Sequence, residues 1–223
     1  MFNVGIIAIS YNLSEDIRNR FIKYVDLSMK NSNLSYKILI ITEKDNITIN
    51  QLFSKSKAYN IGILQLINNT EVIICVDIDI IPDIGLIDLT YKKAIQTNNN
   101  IFSMVRYADI PDISNLSYSN ISKYSNIPLA YWGKGAWNAM TSENWYRSGG
   151  WNEELYGWGY EDIEFHNRLL KKGIDIYIII SKLLIHINHP MRNLNQNISQ
   201  QQNVAISKFK NYLNYNWLDK REL

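Results

Sequence analysis

The sequence predicts an α/β protein built on a mixed, mostly parallel central sheet flanked by helices. Three observations carry that expectation. Continuous apolar runs of strand length recur at residues 3–10, 36–42 and 71–78, as strands buried on both faces require. Between them lie stretches whose apolar residues return at helical spacing. The order strand, helix, strand, helix then implies crossover connections and parallel pairing.

Asn3–Ser10 (NVGIIAIS) is the first predicted strand. Ser14–Lys30 follows as a helix, because Ile17, Phe21, Val25 and Met29 fall four residues apart on one stripe. Ser14 is placed as its N-cap, with Glu15 and Asp16 in a first turn that favours acids. Tyr36–Thr42 (YKILIIT) is the second strand, and Ser54–Asn68, carrying Ala58, Ile61, Leu64 and Leu66–Ile67, the second helix. Glu71–Ile78 (EVIICVDI) is the third strand, Leu86–Gln96 the third helix and Ile101–Tyr107 a fourth strand.

The pattern then changes. Ala108–Tyr131 is polar, rich in Ser and Asn, and long enough to form a functional loop. A Trp-rich segment precedes a helix over Glu161–Lys172, stopped by Gly173. Ile174–Ile180 and Leu183–Asn188 look like strands, Asn193–Gln202 is polar, and Asn203–Trp217 has the pattern of an amphipathic helix. No repeat or linker divides the chain, so residues 1–223 read as one domain.

Composition narrows the function. Hydrophobic residues make up 46% and charged residues 20%, as in an ordinary globular protein. Lys and Arg number 23 against 21 Asp and Glu, and a net charge of +2 gives no electrostatic case for a nucleic-acid partner. Cys75 is the single cysteine, so no internal disulfide forms, and a reducing cytoplasm is the expected setting. No apolar run reaches the roughly 18–20 residues that span a bilayer. Met1–Ser10 lacks a basic start and a cleavage site, and reads as a strand, not a signal peptide. A peripheral place at the inner membrane face is the closest membrane association expected. Five of the six Trp lie between Trp132 and Trp158, which suggests a shaped pocket or a flat platform of the kind sugar rings occupy.

Three constellations could carry chemistry. Asp77-Ile78-Asp79 emerges at the C-terminal end of an apolar strand, where open α/β sheets place ligands. Alternation along an extended chain would point both carboxylates to one side and Ile78 into the core. Two converging carboxylates repel unless a cation lies beside them, so a divalent metal fits. The plainer reading is a loop with two surface acids. Gly157-Trp158-Gly159-Tyr160-Glu161-Asp162 leads into a helix. Its acids could merely complement the helix dipole, but that does not explain the Gly-Trp-Gly platform. His186-Ile187-Asn188-His189 is weak alone and becomes a source of metal ligands only beside the acid pair. His166, at mid-helix, is given no role.

These residues resemble a known family, the GT-A-fold glycosyltransferases. The likeness is to the β-1,4-galactosyltransferase group and to bacterial enzymes of the chondroitin-polymerase type. Phe53 through Gly62 (FSKSKAYNIG) is similar to the group's Phe-Asn-Arg-Ala-Lys-Leu-Leu-Asn-Val-Gly segment. Val76 through Pro82 (VDIDIIP) matches its Asp-Val-Asp-Leu-Ile-Pro metal motif, and Gly135 through Asp162 runs without a gap against its acceptor segment, which ends in Gly-Trp-Gly-Gly-Glu-Asp. The chain departs from the group at its first strand end, which reads Ala8-Ile9-Ser10-Tyr11-Asn12, and in His186-x-x-His189 where the animal enzymes have Met-x-x-His.

The resemblance implies a metal-dependent, inverting transferase. It would move a hexose, galactose or N-acetylgalactosamine, from a UDP-sugar to a hydroxyl of a glycan, glycolipid or glycoprotein. Phe53, Lys55, Asp77 and Trp158 would bind the donor, with Lys55 in place of the family's Arg. Glu161, Asp162 and Trp158 would meet the acceptor, Asp162 acting as base. Asp79 with His186 or His189 would hold Mn2+ or another divalent ion, and which histidine is the main ligand stays open. Residues 1–107 would form the nucleotide-sugar half, 108–190 the acceptor and metal half, and 191–223 a tail. A retaining transferase of the same fold and a non-catalytic sugar-binding module are the alternatives.

Overall fold

A computed structural model of the chain describes residues 1–11, 13–49, 52–103, 105–108, 129–130, 136–157, 159–180 and 184–187. In chain order the elements begin with β1 (Phe2–Ser10), α1 (Glu15–Met29), β2 (Tyr36–Thr42) and a short 3-10 turn at Glu43–Asp45. They continue with β3 (Thr48–Ile49), β4 (Leu52–Phe53), α2 (Lys55–Leu66), β5 (Thr70–Asp77), β6 (Ile80–Ile81) and α3 (Leu86–Thr97). The distal half contains β7 (Asn100–Ser103), β8 (Val105–Ala108), β9 (Leu129–Ala130), β10 (Trp137–Thr141) and α4 (Ser142–Ser148). Finally come α5 (Glu161–Lys171), β11 (Ile176–Ile179) and β12 (Ile185–Ile187).

Six strands form the central sheet in the order β11-β7-β10-β5-β1-β2. The pairs β1–β2, β1–β5 and β7–β11 are parallel, while β10 runs antiparallel to both β5 and β7. The predicted class therefore holds. Apolar side chains alternate onto two layers. Val4, Ile6, Ala8, Val72, Ile74 and Val76 meet α1 and α3 on one face, and Ile7, Ile73 and Cys75 meet α2, α4 and α5 on the other. Gly62 lets α2 approach closely, since a Cβ there would lie 2.6 Å from Ile7 Cγ2.

A second sheet, β6-β12-β8-β9, stands beside the first. It corrects one expectation. The apolar run predicted as a single strand over Ile101–Tyr107 is two strands, β7 in the central sheet and β8 in the smaller one. Period-two patterning cannot reveal such a change of partner, because both pieces are extended. The predicted run at Ile174–Ile180 shortens to β11, and the described part of the run at Leu183–Asn188 contains β12. The tail from residue 191 and most of the polar segment after Ala108 lie outside the described residues.

Helix α2 begins as expected: the Ser54 hydroxyl accepts from the Lys57 amide at 3.2 Å, the N-cap bond. At α1, Ser14 occupies the cap position in extended conformation without a side-chain cap hydrogen bond.

Candidate active site

Parallel strands deliver their C-terminal ends to one edge of the sheet, and of the predicted site residues Phe53, Lys55, Asp77, Glu161 and Asp162 lie near that edge. Asp77 is the last residue of β5, and Tyr11 follows the end of β1. The Tyr11 and Phe53 rings stack with centroids 4.7 Å apart. Phe53 ends β4 and Lys55 opens α2, so the Ser54 cap fixes the direction in which Lys55 leaves the helix.

The first and third sequence blocks meet directly. Gly157 N donates to Phe53 O at 2.7 Å, and Ser54 and Gly157 form a parallel bridge. One turn into α2, Asn60 holds the other end of the same loop. Its Oδ1 accepts from Trp151 N at 2.8 Å, and its Nδ2 donates to Trp151 O at 2.8 Å. The segment before α5 is thereby tied to α2 at two places, so Glu161 and Asp162 arrive beside Lys55.

At the centre, Lys55 Nζ pairs with Asp77 Oδ1 at 2.7 Å, and Tyr59 OH donates to that same oxygen at 3.1 Å. Burial alone would lower the Lys55 pKa, but Asp77, Glu161 and Asp162 together outweigh it and raise it. Glu161 is buried, and burial pushes its carboxyl up to about 7; Lys55 opposes that rise while Asp162 and Asp77 add to it. Asp162 Oδ1 accepts from the Ile163 amide at 2.8 Å in the first turn of α5, where helix N–H groups favour an anion.

Asp79 is placed differently from expectation. Residues 78 and 79 form a turn between β5 and β6, so the two acids do not alternate along one extended strand. Ile78 is nevertheless buried, as predicted. Asp79 lies close enough to Arg20 of α1 to raise its pKa against the lowering by burial, and it also acts on Tyr59. β12 pairs antiparallel with β6, with His186 opposite Ile80, so the backbone at position 186 sits beside Asp79. Among the described residues no group of three His, Cys, Asp or Glu is assembled for a metal. The His186 side chain and all of His189 lie outside the described residues. Asp79 and His186 are of residue types that could ligate a divalent cation, one through a carboxylate and the other through an imidazole.

The tryptophans correct a second expectation. Trp137, Trp145 and Trp151 are at most 1% exposed and belong to the core. Trp151 stacks on Phe165 at 4.1 Å, and Trp145 donates its indole hydrogen to Ile73 O at 3.0 Å. A wide indole fills the space between sheet and α5, which clustering in sequence cannot distinguish from a sugar platform. Trp132 and Trp158 lie outside the described residues. His166, given no role, is buried with Nε2 2.7 Å from Asn138 Oδ1.

Sequence reasoning passed over Tyr59, Arg20 and Asn60. The signal for Tyr59 was its spacing, four residues after Lys55 on the helix, which puts both on one face. Arg20 and Asn60 gave no comparable signal.

A family model described as the N-terminal domain of galactosyltransferase matches residues 117–190. The catalytic domain of Drosophila β1,4-galactosyltransferase 7, in complex with xylobiose, superposes with a TM-score of 0.63 at 13% identity, over 95% of this chain and 82% of that one. The chain has a GT-A-type fold. A mutant of the Drosophila enzyme in complex with manganese, UDP-Gal and xylobiose gives a TM-score of 0.61 at 13% identity, covering 94% and 81% of the two chains. A Desulfovibrio desulfuricans G20 protein described as a nucleotide-diphospho-sugar transferase gives 0.53 at 7% identity, covering 93% and 98%. No curated protein matches the sequence. In this chain the matched segment contains Glu161, Asp162 and His186, whereas Phe53, Lys55, Asp77 and Asp79 come from outside it. Among the described residues, no helix is long and apolar enough to cross a membrane.

Proposed function

We propose that this chain is a glycosyltransferase, divalent-metal-dependent and inverting, that moves galactose or N-acetylgalactosamine from a UDP-sugar to a hydroxyl of a glycan or glycoconjugate. The observation that carries the reading is the cluster in which Lys55 and Asp77 stand beside the α5 turn bearing Glu161 and Asp162. Residues 1–107 supply the donor side and 108–190 the acceptor and metal side, in a cytoplasmic enzyme.

Phe53 and Trp158 take the flat faces of the donor, and Asp77 accepts from a ribose or sugar hydroxyl. Lys55 contributes a compact positive charge near the diphosphate, without the two-pronged geometry of Arg. Asp79 with His186 or His189 would hold the cation, which when bound neutralises charge on the departing diphosphate. Asp162 accepts the proton of the attacking hydroxyl. Glu161, with its carboxyl raised to about 7, is partly protonated at neutral pH and can donate a hydrogen bond to the acceptor.

The test is release of UDP from a set of UDP-hexoses, with Mn2+ and with EDTA. Metal-dependent release from the galactosyl donors is expected. Release undiminished in EDTA would overturn the metal assignment, and no release from any UDP-sugar would overturn the donor assignment.

A further inference from the structure

Asp77 is held in an unsymmetrical way. Both of its contacts, from Lys55 Nζ at 2.7 Å and Tyr59 OH at 3.1 Å, end on Oδ1. No hydrogen bond from a described residue reaches Oδ2. A carboxylate gripped at one oxygen by a single flexible lysine can still swing about its own axis. A second donor on the same oxygen removes that freedom, provided the donor itself is rigid.

Tyr59 meets that condition. It is fully buried, its ring lies 5.2 Å from that of Trp151, and Lys55 Nζ stands 5.7 Å from its centroid. Burial and the negative charge of Asp77 raise the phenol pKa well above its ordinary value, so the hydroxyl keeps its proton and remains a donor. The galactosyltransferase segment that this helix resembles has leucine here, so the hydroxyl is a feature of this chain and not of that pattern. It also accompanies a lysine where that segment has arginine, and a lysine fixes less geometry.

We propose that Tyr59 is a positioning residue that locks the Asp77 carboxylate with Oδ2 presented to the nucleotide-sugar. The inference rests on the donor-site reading above. Its experiment is calorimetric binding of UDP with Mn2+ to the full chain, alongside steady-state kinetics.

Wild-type protein should bind UDP. No binding there overturns the donor-site reading and this inference with it. Tyr59→Phe keeps the ring and removes only the hydroxyl. It should bind UDP about tenfold more weakly, the scale of one hydrogen bond to a charged group, and raise KM while changing kcat less than about threefold. Unchanged UDP affinity in a folded variant would overturn the inference alone, and so would a variant that no longer folds, since Tyr59 would then be structural. In an Asp77→Ala background the same substitution should add less than about a twofold loss. A further tenfold loss in that background would mean that Tyr59 does not act through Asp77.

Discussion

The Gly157 amide donates to the Phe53 carbonyl at 2.7 Å, joining two segments that belong to opposite halves of the chain. The consequence is chemical as much as architectural. Phe53 and Lys55 face the donor in our reading, while Gly157 opens the loop that ends at Glu161 and Asp162. This backbone hydrogen bond, together with the Asn60–Trp151 pair, therefore helps set the spacing between what we read as the donor and acceptor sides.

The base is the first prediction. Asp162→Asn keeps the size and the Ile163 contact but removes proton affinity. Transfer should fall by roughly 10²–10⁴-fold, the usual worth of a positioned base, with UDP affinity unchanged. NMR of the product should show a β-linkage from the α-linked donor, and an α-linkage would exclude inversion.

Metal dependence gives the second. Asp79→Ala should abolish the Mn2+-dependent part of UDP binding, measured by calorimetry with and without EDTA. His186→Ala and His189→Ala should differ in severity, the larger effect marking the main ligand. Binding that survives in the Asp79 variant would assign the cation elsewhere.

Glu161 predicts a pH dependence of stability. Its carboxyl is raised by burial from an ordinary 4.5 to about 7, so the folded state holds its proton more tightly than the unfolded chain. The stabilisation is fully present below about pH 4.5 and is lost as pH rises through about 7. Across that window wild-type stability should fall relative to Glu161→Gln by on the order of 3 kcal/mol. Urea unfolding of both proteins at a series of pH values measures the difference, and parallel curves would remove the burial argument.

Tyr160 offers a stabilising change. It adopts φ 76°, in the left-handed region that suits glycine better than an aromatic residue. Tyr160→Gly should raise stability by about 0.5–1 kcal/mol, the strain relieved being partly offset by a freer unfolded chain. Denaturant midpoints are the check.

Arg168 offers the opposite. Its guanidinium bonds both oxygens of Glu164, at 2.7 and 3.2 Å, and also the Ser148 and Gly150 carbonyls. Arg168→Ala leaves a buried carboxylate and two carbonyls without their donor, and should cost about 3–5 kcal/mol. A loss below about 1 kcal/mol would show that water replaces the guanidinium freely.

The sheet's parallel part was legible because β1, β2 and β5 are buried on both faces, and such strands appear as unbroken apolar runs. The helices α1, α2 and α3 announced themselves by spacing. β10 and α4 did not, because Trp137–Ser148 mixes large aromatics with polar residues and has no single period. Two-residue strands such as β6 carry no pattern at all, yet β6 is what sets His186 beside the Asp79 turn. Asp77, Glu161 and Asp162 were legible as candidates because motifs mark residue types at fixed offsets, and Lys55 because its segment resembles a family pattern. Tyr59 was not, since its contribution depends on which carboxylate oxygen it reaches, and only coordinates hold that information.

β10 has a bearing on how the chain is made. It lies between β5 and β7 but is synthesised after both, so the two strands that flank it emerge from the ribosome with open edges. At about 5–20 residues per second, that exposure lasts for seconds. Unpaired apolar edges are templates for wrong pairing, and a fragment truncated before Trp137 would keep them permanently. The N-terminal half should therefore not survive as an independent folding unit, and the growing chain should need shielding until Trp137–Thr141 slots into place.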